Sequence, residues 1–145
     1  MNLDNLFKGM SISSTGMAAE RKRLDVIAQN IANANVVATK NGGPYRRKDV
    51  VFESILKDSL GASEGTIGGV RISSTDEDFD TPLNEIFDPS HPMADKETGL
   101  VMYPNVNMAF EMVDLMTASR SYEANLKAVS LYREMMRQAV SLLEG

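Results

Sequence analysis

Apolar residues recur at seven-residue intervals near both ends of the chain. On the N-terminal side Leu3, Met10, Met17, Leu24 and Ile31 form an unbroken row. A second row, Leu6, Ser13, Glu20, Ile27 and Ala34, is apolar only at its ends. Such a stripe predicts one coiled-coil-like helix from Asp4 to about Asn35. Gly9 and Gly16 sit inside it, flanking Ser-Ile-Ser-Ser-Thr. A helical glycine costs about 1 kcal/mol relative to alanine, so this helix is expected to be marginal on its own. On the C-terminal side Met108, Leu115, Tyr122, Val129, Met136 and Leu143 keep the same interval, and Met112, Leu126 and Val140 extend that face. Pro104 precedes them and Asn105 or Asn107 offers a cap, which predicts a second helix from Asn105 to about Leu143.

The sequence between is of another kind. Lys-Asp-Val-Val-Phe-Glu-Ser-Ile-Leu is either a short strand or the start of a helix. Gly-Ala-Ser-Glu-Gly-Thr-Ile-Gly-Gly is a turn-rich link, and Val-Arg-Ile-Ser-Ser-Thr alternates as a strand does. The stretch from Glu85 to Pro104 holds short apolar runs broken by Pro and Gly, as hairpins are. The predicted class is α+β: helices in 1–36 and 105–145 pair antiparallel as a coiled-coil-like hairpin, and 37–104 is a small β-rich insertion. Helices of about 48 and 58 Å outrun the diameter of about 40 Å of a globular domain this size. An elongated molecule follows, with the middle segment expected to project from the far end.

Charge sharpens the division. Residues 61–104 hold nine acids and two bases, against a net charge of −5 for all 145 residues. An acidic insertion therefore separates two nearly neutral helices. The overall balance argues against nucleic acid as a partner, which needs clustered positive charge. The short clusters Arg21-Lys22-Arg23 and Arg46-Arg47-Lys48 read as solvated surface. No apolar run approaches the roughly 20 residues that span a bilayer, so no membrane span is expected. The N-terminus also lacks the pattern of a cleaved secretory signal.

Catalytic groupings are scarce, and no cofactor is expected. Cysteine is absent, which removes disulfides, thiolate nucleophiles and Cys-based metal sites. His91 is the single histidine; with Asp88 and Asp95 it either makes a hard-metal or acid/base site or bonds local backbone in a Pro-rigidified loop, and the second reading is favoured. The segment from Asp25 to Val36 carries four amides, Gln29, Asn30, Asn33 and Asn35, among small apolar residues. Asn30 and Asn33 share a helix face, and two roles compete for them: closing the helix end, or bonding across a subunit contact, the role preferred here. The methionines that cluster on the helices either fill the core of one hairpin or suit surfaces that pack against several non-identical neighbours. A two-helix hairpin leaves much apolar face unpartnered, so burial is expected to require further chains.

Four blocks carry a resemblance: Gly16–Val36, Asn41–Glu53, Phe87–Asn107 and Glu111–Ala128. The first resembles the N-terminal signature of bacterial flagellar rod and hook proteins, and the others narrow the likeness to proximal rod subunits. It covers nearly the whole chain and is weakest over residues 57–80. Gln29 stands where that family usually has Asn, and Ser-Ser-Thr-Gly replaces its commoner Ser-Ala-Ser-Gly. The resemblance implies a structural subunit of the basal-body rod in the periplasm, exported by the flagellar type III apparatus without a cleaved signal. It implies assembly with copies of itself into a helical tube that carries torque from the MS ring to the distal rod and hook. The partners implied are FlgB, FliE, the MS-ring protein FliF and the distal rod proteins.

On that reading Met10, Met17, Leu24, Ile27, Ile31, Met108, Met112, Leu115, Tyr122, Leu126, Val129 and Met136 supply the packing seams between subunits. Asn30 and Asn33 supply polar contacts between subunits, and Arg120 and Glu123 either fix register there or form a solvated ion-pair face. The marginal terminal helices would gain order on assembly. A different axial subunit, a secreted coiled-coil export adaptor or effector, and a small metal-dependent enzyme are the alternatives.

Overall fold

The computed structural model of the chain describes residues 3–40, 42–55 and 68–144. Helix α1 spans Leu3–Ala32. It ends where the amides cluster, and there the Gln29 carbonyl accepts from both the Asn33 N–H at 3.0 Å and the Asn33 side chain at 2.7 Å. Tight turns follow, with Val36 N–H donating to the Asn33 carbonyl. Gly42 and Gly43, at φ 83° and 77°, then reverse the chain in a conformation other residues rarely adopt.

The ambiguous segment is a strand, β1 (Lys48–Ile55). It pairs antiparallel with β2 (Gly69–Glu77), from Lys48 opposite Glu77 to Ile55 opposite Gly69, with a register shift between Val51 and Phe52. The predicted Gly-rich link falls largely outside the described residues. β3 (Asn84–Phe87) pairs antiparallel with β4 (Leu100–Tyr103), as the Pro- and Gly-broken runs suggested. Helix α2 spans Met108–Glu144. Of its two candidate caps, Asn107 serves: its Oδ1 accepts from the N–H groups of Ala109 and Phe110 at 3.0 and 3.3 Å.

Contact partners descend along α2 as they ascend along α1. Gly9 lies against Tyr132, Gly16 against Asn125, Arg23 against Asp114 and Asn30 against Glu111. The seam is thus built on the row Gly9, Gly16, Arg23, Asn30, one position away from the apolar row expected to form it. A Cβ on Gly9 would stand 2.5 Å from Tyr132 Cζ and Oη, and one on Gly16 would stand 3.0 Å from Asn125 Nδ2. These glycines, read from sequence as weak points, are where α1 makes room for two α2 side chains.

The first hairpin does not project past the helix end, which corrects the expected arrangement for this part of the insertion. β1 starts beside Asn30, and the Val70 N–H donates to Thr15 Oγ1 at 3.2 Å, so β1–β2 lies back along α1. The cause is hydrophobic. A two-stranded hairpin cannot shelter its own apolar face, and Val50 is buried while Phe52 and Val70 share a groove with buried Ala19.

Candidate assembly surface and the joint beneath it

Asn30 is fully buried and makes all four hydrogen bonds an amide side chain can make. Its Nδ2 donates to the Lys48 carbonyl at 2.8 Å and to Glu111 Oε2 at 3.1 Å. Its Oδ1 accepts from the Tyr45 hydroxyl and the Lys48 N–H, both at 2.9 Å. One side chain thereby ties α1, the loop before β1, β1 itself and α2. Neither role expected for Asn30 survives. It is a joint within the chain, with nothing left to offer a neighbouring subunit. The Asn33 side chain bonds locally, to the Gln29 carbonyl one turn back.

Glu111 is buried as completely, and its other oxygen takes Arg47 Nε at 2.6 Å. Arg47 also reaches Asp49 at 3.1 Å and Asp114 at 3.6 Å, and Arg23 approaches Asp114 at 3.5 Å. An unpaired buried carboxylate would be costly, and the guanidinium fork meets that need. Burial by itself would lower the Arg47 pKa, but the Glu111 and Asp49 carboxylates outweigh it and hold the group more firmly protonated. Burial, then the charges of Glu111 and Glu77, push the Tyr45 hydroxyl above its ordinary pKa.

The cluster Arg46-Arg47-Lys48 is therefore not solvated surface, as its composition suggested. Arg46 lies 5.0 Å from the Phe79 ring and donates to the Asp78 carbonyl. Asn105 continues the joint on the other side. Its Oδ1 accepts the Arg47 N–H at 2.8 Å, and its Nδ2 donates to the carbonyls of Asp78 and Thr81 at 3.0 and 3.2 Å.

Sequence reasoning missed Tyr45, Arg47, Asn105 and Glu111 as a unit, although each lies in one of the blocks that carry the resemblance. A signal was present: the seven-residue row Gly9, Gly16, Arg23, Asn30 and its counterpart Glu111, Ala118, Asn125, Tyr132. A search for apolar periodicity passes over both.

The expected interface residues divide. Ile27 is buried at 4% exposure, in the chain's own core. Met10, Met17, Leu24, Ile31, Leu115, Tyr122, Val129 and Met136 are half-buried. Met108, Met112, Arg120, Glu123 and Leu126 are exposed. Phe110 (71% exposed), Val113 (57%) and Leu131 (61%) join them, so much of the outward surface of α2 is apolar. Leu24, Leu115, Met116, Ser119, Arg120 and Glu123 line one groove between the helices.

The loop that holds His91 is closed locally. His91 Nδ1 accepts the Met93 N–H, Asp88 Oδ1 the Ser90 N–H and Asp95 Oδ1 the Glu97 N–H, each at 3.1 Å. Among the described residues no helix is long and apolar enough to cross a membrane.

A chain with its polar groups joined inside and its apolar residues on a helix surface has the form of an assembly subunit. Comparison with known families fits that form. Residues 10–38 match the flagella basal body rod protein family, and residues 97–142 match the C-terminal family of the flagellar basal body rod FlgEFG proteins. The class is therefore that of flagellar rod proteins, structural components and not enzymes.

Individual relatives narrow it. The chain is 40% identical to the flagellar basal-body rod protein FlgC of Borreliella burgdorferi, with 97% of this chain and 99% of the relative aligned. It is 39% identical to FlgC of Salmonella typhimurium, covering 98% of each. It is 37% identical to FlgC of Bacillus subtilis, covering 94% of this chain and 97% of the relative. The chain belongs to the FlgC family of flagellar basal-body rod proteins.

Proposed function

We propose that this subunit builds the proximal rod as a helical tube and transmits torque through it. The α1–α2 pair would be an antiparallel, coiled-coil-like inner domain formed by residues 1–36 and 105–145, and 37–104 would be the outer part. The carrying observation is the set of exposed apolar side chains on α2, Phe110, Met112, Val113, Met116, Leu126 and Leu131, spaced among exposed polar residues such as Thr117, Arg120 and Lys127. So many large apolar side chains exposed on one helix fit a surface that other chains cover. Half-buried Met10, Met17, Leu24, Ile31, Leu115, Tyr122, Val129 and Met136 lie at the edges of the seam, where a neighbour completes their burial. Met108, Met112 and Leu126 extend that contact, and Arg120 and Glu123 fix its register.

The Asn30–Glu111 joint gives torque a stiff path between the inner helices and β1. Other copies, FlgB, FliE, FliF and the distal rod proteins are the neighbours the reading calls for, with delivery through the flagellar type III apparatus to the periplasmic side. Terminal helices that gain order on burial would suit such a route. Imaging of basal bodies from cells lacking the gene, with and without the restored chain, tests the reading. The expected result is a motility defect with no rod beyond the proximal end, repaired by the restored chain. Complete rods in the deleted cells would overturn it.

A further inference from the structure

Phe110 and Ser119 stand nine residues apart on α2, which is two and a half helical turns. They therefore lie on opposite flanks of the helix, about 14 Å apart along its axis. On one flank Phe110 projects at 71% exposure, as Phe79 and Phe87 do elsewhere at 70%. On the other, Leu24 and Leu115 form the apolar lining of a groove of about 550 Å³ that the small side chain of Ser119 leaves open. Met116, with its flexible thioether, lies along the same groove.

We infer that Phe110 of one copy seats in the Leu24–Leu115–Ser119 groove of the next. This deepens the rod reading above and rests on it. The two features cannot meet within one molecule, because they face away from each other on a single rigid helix. Between copies they meet naturally. A knob on one flank and a hole on the opposite flank make a head-to-tail contact, which repeats without closing into a dimer.

Charge supports the same pairing. Phe110 borders a cleft lined by Asp78, Glu111, Asp114 and Arg47, where Glu111 and Asp114 are paired with Arg47 and Arg23 and, among the described residues, Asp78 is in no ion pair. On the groove rim Arg120 is exposed, and among the described residues it makes no ion pair. Its long stem suits it to meet Asp78 on the flank arriving with Phe110. Glu123, three residues on, is the single acid of the groove.

The chain has no cysteine, so single thiols can be placed without background. Val113→Cys marks the Phe110 side and Ser119→Cys marks the groove. The two full-length variants are co-produced in a flagellated strain, and a short thiol-specific bismaleimide is applied to isolated basal bodies. The expected product is the mixed dimer of the two variants, with little of either like-with-like dimer. Adding Phe110→Ala should lower the mixed product at least tenfold and Phe110→Leu much less, both with unchanged circular dichroism of the purified chain. Predominantly like-with-like dimers, or no product in cells that still swim, would overturn this docking and leave the rod reading standing. Absence of the unmodified chain from basal bodies would overturn both.

Discussion

The Asn30 amide donates to the Glu111 carboxylate at 3.1 Å, across 81 positions of sequence, with both residues fully buried. This bond fixes the height at which α1 meets α2. It also anchors β1, because the same amide holds both backbone groups of Lys48.

Replacing Asn30 by alanine should therefore be severe. The Tyr45 hydroxyl, both Lys48 backbone groups and one Glu111 oxygen lose their partner together, and each unsatisfied buried group costs about 1–3 kcal/mol. A loss of at least about 3 kcal/mol in urea denaturation is expected for Asn30→Ala. Asn33→Ala removes one exposed local bond and should stay within about 0.5 kcal/mol of the parent. Equal effects of the two substitutions would contradict the joint.

Helix propensity and packing make opposite forecasts for Gly9. Propensity says Gly9→Ala stabilises by about 1 kcal/mol. The Tyr132 ring, 2.5 Å from where the new Cβ would lie, says it destabilises by about 1–3 kcal/mol. The packing outcome is expected, and it should reverse in a Tyr132→Ala background. A double-mutant cycle on thermal unfolding reads this directly, and additive effects would show that Tyr132 does not occupy the space.

For the Arg47–Glu111 pair, removing one member should cost more than removing both. Arg47→Met leaves a buried carboxylate without its cation, at about 3–5 kcal/mol. Arg47→Met with Glu111→Met should recover a large part of that loss. Arg47→Lys, which keeps the charge and loses the planar fork, should fall between. Denaturant midpoints of the three variants supply the comparison.

Tyr45 predicts a dependence on alkaline pH. Its folded pKa lies above the ordinary value of 10.0 because burial, Glu111 and Glu77 all disfavour the phenolate. Its contribution is therefore complete below pH 10.0 and is lost as pH rises through the higher folded value. Tyr45→Phe gives up the bond to Asn30, about 1 kcal/mol at neutral pH. The gap between the two proteins should narrow above about pH 10. Thermal midpoints from neutral to strongly alkaline pH will show whether it does.

Local pattern alone determined the two helices and the acidic strand-forming insertion. It did so because apolar period, Pro and Gly placement and charge act over a few residues. The resemblance blocks were equally legible, since they are words in the sequence. The row that forms the seam was not, because Gly9, Gly16, Arg23 and Asn30 become favourable only when Tyr132, Asn125, Asp114 and Glu111 stand opposite them. The same holds for the joint. An amide cluster at a helix end looks like capping or contact chemistry until Tyr45, Lys48 and Glu111 converge on one of its members. Only the tertiary structure decided that, since the worth of a buried polar group depends wholly on partners brought from distant parts of the chain.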